Sequence, residues 1–252
     1  MIHSERNLTV CAYWYDRVVS GGEFLEQSRS FLKKVVLILP ELSILRVVRD
    51  PKEASGLIDR EYSNFDDEVI AALPKDYVFT ESGSTNRKFT KSSTAATSFR
   101  GSFLLTSDDG AKELSVRISV GTPHIWSSNN SIIEFSLDLE SVESAKKILE
   151  ESIEFWQPHH AYAGRYEVEK LLNQPVGNVR IGWLTYLADL NAQGALPDDI
   201  QCRRLNSGIL IQATELPGYQ CDAQDIEQMR RILEALAPDG YLKNPQKKPG
   251  QL

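Results

Sequence analysis

Apolar and polar positions follow two rhythms along this chain, and each change of rhythm marks an element. Leu8-Thr-Val-Cys-Ala-Tyr-Trp-Tyr15 is dense in β-formers and predicts a strand. Ser20 and Glu23 then have capping-box spacing, and Phe24, Ser28, Phe31, Val35 and Leu39 recur at threes and fours. A helix is expected at about Gly22–Leu39, closed by Pro40. Ser43–Arg49 returns as a strand. An acidic helix is expected at Leu57–Leu73, with Pro74 ending it.

The middle of the chain changes character. Ten of the nineteen residues from Thr80 to Ser98 are Ser or Thr, which predicts a long irregular segment. Ser102–Ser107 and Leu114–Val120 flank Asp108-Asp109-Gly110, a hairpin signal. Ile132–Leu139 alternates like a strand with one wet face. The strongest helical stripe follows: Val142, Ala145, Leu149, Ile153 and Trp156 predict a helix at Ser141–Gln157, capped by Asp138 or Ser141 and stopped by Pro158. A short helix at Tyr166–Leu172, a loop at Pro175–Asn178, and strands at Arg180–Leu187 and Gly208–Thr214 come next. The last helix, about Asp225–Ala237, buries Ile226, Met229, Leu233 and Leu236 before Pro238.

This order predicts an α+β fold, a mostly antiparallel sheet covered by amphipathic helices. It forms one domain over 1–240, or two related halves at 1–125 and 126–240, with 241–252 a disordered tail. With 41% apolar and 25% charged residues in 252, the chain is ordinary globular material. No run reaches the roughly 18 apolar residues that span a bilayer. The first residues lack a signal-peptide layout, and Cys11, Cys202 and Cys221 are too few and too scattered for a disulfide framework. A cytoplasmic protein is expected.

The net charge of −7 is concentrated. Asp50, Glu53, Asp59, Glu61, Asp66, Asp67 and Glu68 stand against Lys52 and Arg60, a local net of −5. Between Glu134 and Lys170 nine acids, Glu143, Glu150 and Glu151 among them, stand against four bases, again −5. Such stretches repel nucleic acid and anionic membranes and attract a basic protein, unless they only keep the chain soluble.

Chemistry is sparse by comparison. His159-His160 is the one histidine pair, and neighbouring residues point apart, so a polar helix end suits it better than a metal. Both histidines are expected to be replaceable without loss of function. There is no Gly-x-Ser-x-Gly, no phosphate loop, and only Asp50-Pro51-Lys52 where a metal nuclease needs its acid and lysine. Cys202, beside Arg203 and Arg204, is the best-placed thiol. No catalytic residue, cofactor or metal is expected. Trp126, and one of Trp183 and Tyr186, are candidate exposed anchors for a partner, the alternative for the pair being burial of both.

Arg180-Ile-Gly-Trp-Leu-Thr-Tyr-Leu187, the strand ending Gln212-Ala-Thr214, and Phe155-Trp156-x-Pro158 resemble the immunity protein 52 family. That resemblance implies a bacterial antitoxin of type VI secretion (T6SS) that binds a restriction-endonuclease-fold effector and neutralises it, with no catalytic residues of its own. The acidic stretches are compatible with a basic, nuclease-like partner. Two alternatives stay open: a chaperone or adaptor that loads an effector, and an enzyme with a dispersed site.

Overall fold

Strand β1, Leu8–Trp14, leads into helix α1, Gly21–Ile38, through the capping box read from the sequence. The Glu23 amide donates to the Ser20 hydroxyl at 3.3 Å, and the Ser20 amide donates to the Glu23 carboxylate at 2.6 Å. These bonds satisfy two amides that a helix start otherwise leaves unpaired. The stripe on α1 buries Phe24, Ser28, Phe31 and Val35. In this computed structural model, residues 8–15, 17, 19–48, 56–73, 99–121, 129–136, 142–174, 179–215 and 223–243 are described. Trp126, Asp138, Glu140, Ser141 and the segments 80–98, 175–178 and 244–252 lie outside them.

The chain divides into two compact units, Trp14–Leu139 on one hand and Met1–Tyr13 with Glu140–Leu252 on the other. The first holds α1, β2 (Ile44–Val47), β3 (Gly56–Ile58), α2 (Phe65–Ala72), β4 (Phe99–Thr106), β5 (Glu113–Val120) and β6 (Asn129–Phe135). Its strands run in the order β3-β2-β4-β5-β6, with antiparallel pairing wherever a register is defined. The register sets Val47 opposite Phe103, Phe103 opposite Val116, and Val116 opposite Ile133, one buried row across four strands. Phe24 stacks on Phe99 and Phe65 on Phe103, with ring centres 5.4 and 5.8 Å apart.

The second unit starts from β1 and adds α3 (Val142–Trp156), β7 (His160–Arg165), α4 (Tyr166–Leu171) and β8 (Leu184–Leu187). A 3₁₀ turn at Leu190–Ala195, then β9 (Gln201–Leu205), β10 (Gly208–Gln212) and α5 (Ala223–Leu236) complete it. Its strand order is β1-β7-β8-β10-β9, again antiparallel. The stripe expected on α3 is formed, with Ala145, Leu149, Ile153 and Trp156 buried together with Ile148 and Ser152.

Three expectations need correction. The helix expected at Leu57–Leu73 is strand β3, a turn, and only then helix α2. Asp59 causes the break: its carboxylate accepts from the Ser63 and Asn64 amides at 2.9 and 3.0 Å, which fixes a tight turn instead of a helical one. The strand expected over Arg180–Leu187 is confined to Leu184–Leu187. Two strands, β7 and β9, stand where the pattern suggested a helix exit and a polar connection. Among the described residues ten strands outweigh five α-helices, so this mixed α/β fold is strand-dominated rather than a sheet simply covered by helices.

Candidate interaction surfaces and a buried polar cluster

The β1–β7 ladder places Cys11 opposite Tyr162 and Tyr13 opposite His160. Residues two apart on a strand share a face, so these four side chains form one polar group. Tyr13 stacks on His160 with ring centres 4.6 Å apart and on Tyr162 at 6.3 Å. Cys11 hydrogen-bonds both tyrosines, and Tyr162 also bonds Arg180. Arg180 in turn pairs with Glu169 on α4.

Burial sets the chemistry of this group. It pushes the Cys11 thiol up to about 12 and raises both tyrosines, so all three keep their protons at neutral pH. It lowers His160 to about 3, with His159 and Arg180 adding to the effect, so the imidazole is neutral. The cluster offers neutral hydrogen-bonding groups around one guanidinium, and no poised nucleophile or charged base. His160 is thus a core strand residue at 3% exposure, not a solvated helix end. It and His159 border a cavity of about 290 Å³ together with Asp189, Asp239, Tyr241 and Lys243. Among the described residues no three of His, Cys, Asp and Glu are placed to hold a metal ion.

The acids of the first patch divide by what they touch. Asp59 is spent on the turn before α2, and its hydrogen bonds from Ser63 hold its carboxyl below the usual carboxylate range. Asp66 pairs with Arg29 of α1, whose guanidinium lies 5.3 Å from the Phe65 ring centre. Lys33, one turn further along α1, sits 4.9 Å over the Tyr62 ring. Glu61 and Asp67 are exposed and Glu68 is half-buried. One base distant in sequence, Arg29, thus pairs with an acid of this stretch. Leu57, on β3, is 53% exposed.

In the second unit Glu150 pairs with Arg203 of β9, Glu143 is exposed, and Glu151 is half-buried. Trp183 and Tyr186 are 2% and 1% exposed, so the alternative with both buried holds and neither is presented as an anchor. For Tyr186 the reason is the position of β8 between β7 and β10, where all four of its residues are buried, and Trp183 stands immediately before that strand. Trp183 Nε1 donates to the Thr214 carbonyl at 2.9 Å, and the Tyr186 hydroxyl lies 3.4 Å from that of Ser207. Among the described residues, the large apolar side chains that reach solvent are leucines: Leu37, Leu57, Leu171 and Leu190. Cys202 is half-buried on the rim of an open depression of about 530 Å³ that also touches Asp198, Asp199 and Pro197.

The observed class is a strand-dominated α/β protein built from two antiparallel five-stranded units, with surface carboxylates and a protonated polar core. No protein-family model matches the chain, the immunity protein 52 family included, and no curated protein matches it. Among solved structures it is similar to the T6SS protein PA0821 of Pseudomonas aeruginosa. The identity is 16% and the TM-score 0.51, over 98% of this chain and 77% of that one. The likeness is one of fold.

Proposed function

We propose that this protein is a T6SS immunity factor: it binds a cognate effector with a basic, nuclease-like surface and neutralises it in the cytoplasm, without being an enzyme. The observation that carries the reading is the fold likeness to a T6SS protein along nearly the whole chain. Glu61, Asp67 and Glu143 remain exposed after the internal ion pairs are formed, and they supply the charge that draws in a basic partner. Leu57, exposed on β3, gives an apolar contact that charge alone lacks. The polar cluster, with its thiol and hydroxyls protonated, acts as core structure in this reading. An effector-loading adaptor is the second reading, because the same likeness suits it.

Co-expression with the product of the neighbouring reading frame separates the two. An immunity factor restores growth to cells that the neighbour kills. An adaptor leaves them dying but is required for the neighbour to leave the cell. Equal killing with and without this protein, and no effect on export, would sink both.

A further inference from the structure

The cavity of about 290 Å³ that His159 and His160 border lies wholly within the unit that holds β1, β7 and β8. Its walls come from four segments of the chain, and main-chain hydrogen bonds tie them together. The Ala188 amide donates to the His159 carbonyl at 2.9 Å, the Val179 amide to the Leu242 carbonyl at 2.8 Å, and the Lys243 amide to the Gly240 carbonyl at 3.0 Å. Backbone groups at these points are thus engaged, and the hollow is framed in advance of any occupant. At about 30 Å³ of liquid volume per water it has room for about ten waters, or for one small molecule.

One group in the wall lacks a partner. His160 is 3% exposed, and its Nδ1 is buried without a hydrogen bond. Tyr13 stacks on the ring, and Leu187, opposite His160 in the β7–β8 ladder, offers no polar side-chain group. A neutral imidazole has one donor and one acceptor, and buried groups of this kind nearly always find partners. An occupant of the cavity would supply one. The rim says what kind of occupant. Burial, then Asp189 and Asp239, raise the Tyr241 hydroxyl, so both carboxylates act on one phenol. Asp189 also accepts from the Asn191 amide at 2.9 Å. Lys243 and His159 are exposed on the same rim. Two carboxylates against a lysine and an imidazole leave neither sign in strong excess, so a lone cation or a lone anion is matched less well than a molecule carrying both. Val179 and Leu187 add a buried apolar surface. An ammonium, a carboxylate and a short apolar chain on one molecule match all three features.

We propose that this cavity binds a small zwitterion of the α-amino-acid class: Lys243 takes its carboxylate, Asp189 and Asp239 its ammonium, Val179 and Leu187 its apolar side chain, and the His160 imidazole a hydrogen bond. The site uses none of the surface acids of the proposed function and is tested without an effector. The probe is L-leucine, titrated into the full-length protein by calorimetry while the side-chain nitrogens of His160 are followed by NMR. Binding should saturate below about 20 mM, and the His160 nitrogen resonances should move with the same midpoint. Isoamylamine and isocaproate keep the apolar chain but lack the carboxylate or the ammonium. Each should bind at least about tenfold more weakly. Lys243→Ala and Asp239→Asn, both at exposed positions, should melt near the parent temperature and weaken L-leucine about threefold to tenfold. His160→Phe keeps a ring against Tyr13, removes both nitrogens, and should weaken it about tenfold. The proposal is overturned if L-leucine does not saturate, if either truncated compound binds as well as L-leucine, or if both rim variants bind as the parent does. It is overturned too if the His160 nitrogens stay still during the titration, for then the partner of the imidazole is an ordered water only. Its failure leaves the immunity reading standing, because that reading rests on other residues.

Discussion

His160 is read by its neighbours rather than by its neighbour in sequence. Tyr13 stacks on it, burial removes its hydration, and His159 and Arg180 disfavour a second positive charge nearby. Its folded-state value, about 3, lies below the ordinary 6.5. As pH falls below 6.5 the unfolded chain takes up a proton that the native state refuses. Stability is therefore intact above 6.5 and lost towards 3, at about 1.4 kcal/mol per pH unit. Urea midpoints at pH 7, 6 and 5 should fall accordingly, and His160→Phe should flatten that fall. Parallel profiles for the two proteins would show that some other group titrates. Replacement by Ala is no longer a neutral change for stability, because it leaves a hole beside a stacked ring.

At the scale of elements, the central strands tolerate little. A Cβ on Gly208 would lie 2.0 Å from the Leu187 carbonyl oxygen across the β10–β8 contact, where backbone, not a flexible side chain, is in the way. Gly208→Ala should cost about 2–4 kcal/mol, read as a lower denaturant midpoint with an unchanged m-value. Gly110, at φ +71° in the β4–β5 turn with open space around it, has a conformational reason instead. Helices α1 and α3 were legible because burial on one side repeats every three or four residues. Strands β7 and β9 were not. His160–Arg165 is buried on both faces and Gln201–Leu205 is exposed or half-exposed throughout, so neither alternates.

At the scale of the molecule, the surface field differs from the charge profile along the chain. Arg29 and Arg203 come from distant elements to pair with Asp66 and Glu150, and Arg180, ahead of β8, pairs with Glu169 of α4. Among the described acids of the two stretches Glu154 is exposed, as are Glu61, Asp67 and Glu143, the three that the proposed function assigns to steering a basic partner. Changing these three together to Lys should slow association with the effector about tenfold at low salt, and reduce its salt dependence more than it speeds dissociation. Stopped-flow rates at several ionic strengths test this. An unchanged association rate beside full protection would mean that acidity serves solubility and that the contact is apolar.

By itself the sequence determined the long helices, the β4–β5 hairpin, the antiparallel class and an excess of acid, because these follow from local spacing and composition. The tertiary structure alone decided which acids are free, that Trp183 and Tyr186 are interior, and that Asp59 ends a strand instead of lying in a helix. It also decided that Cys11, Tyr13, His160 and Tyr162 form one group, though some 150 residues separate the two strands that carry them. The physical reason is common to all of these. An ion pair, a ring stack or a strand covered on both faces depends on which residues the ladder brings side by side, and strand register across distant segments leaves no period in the chain.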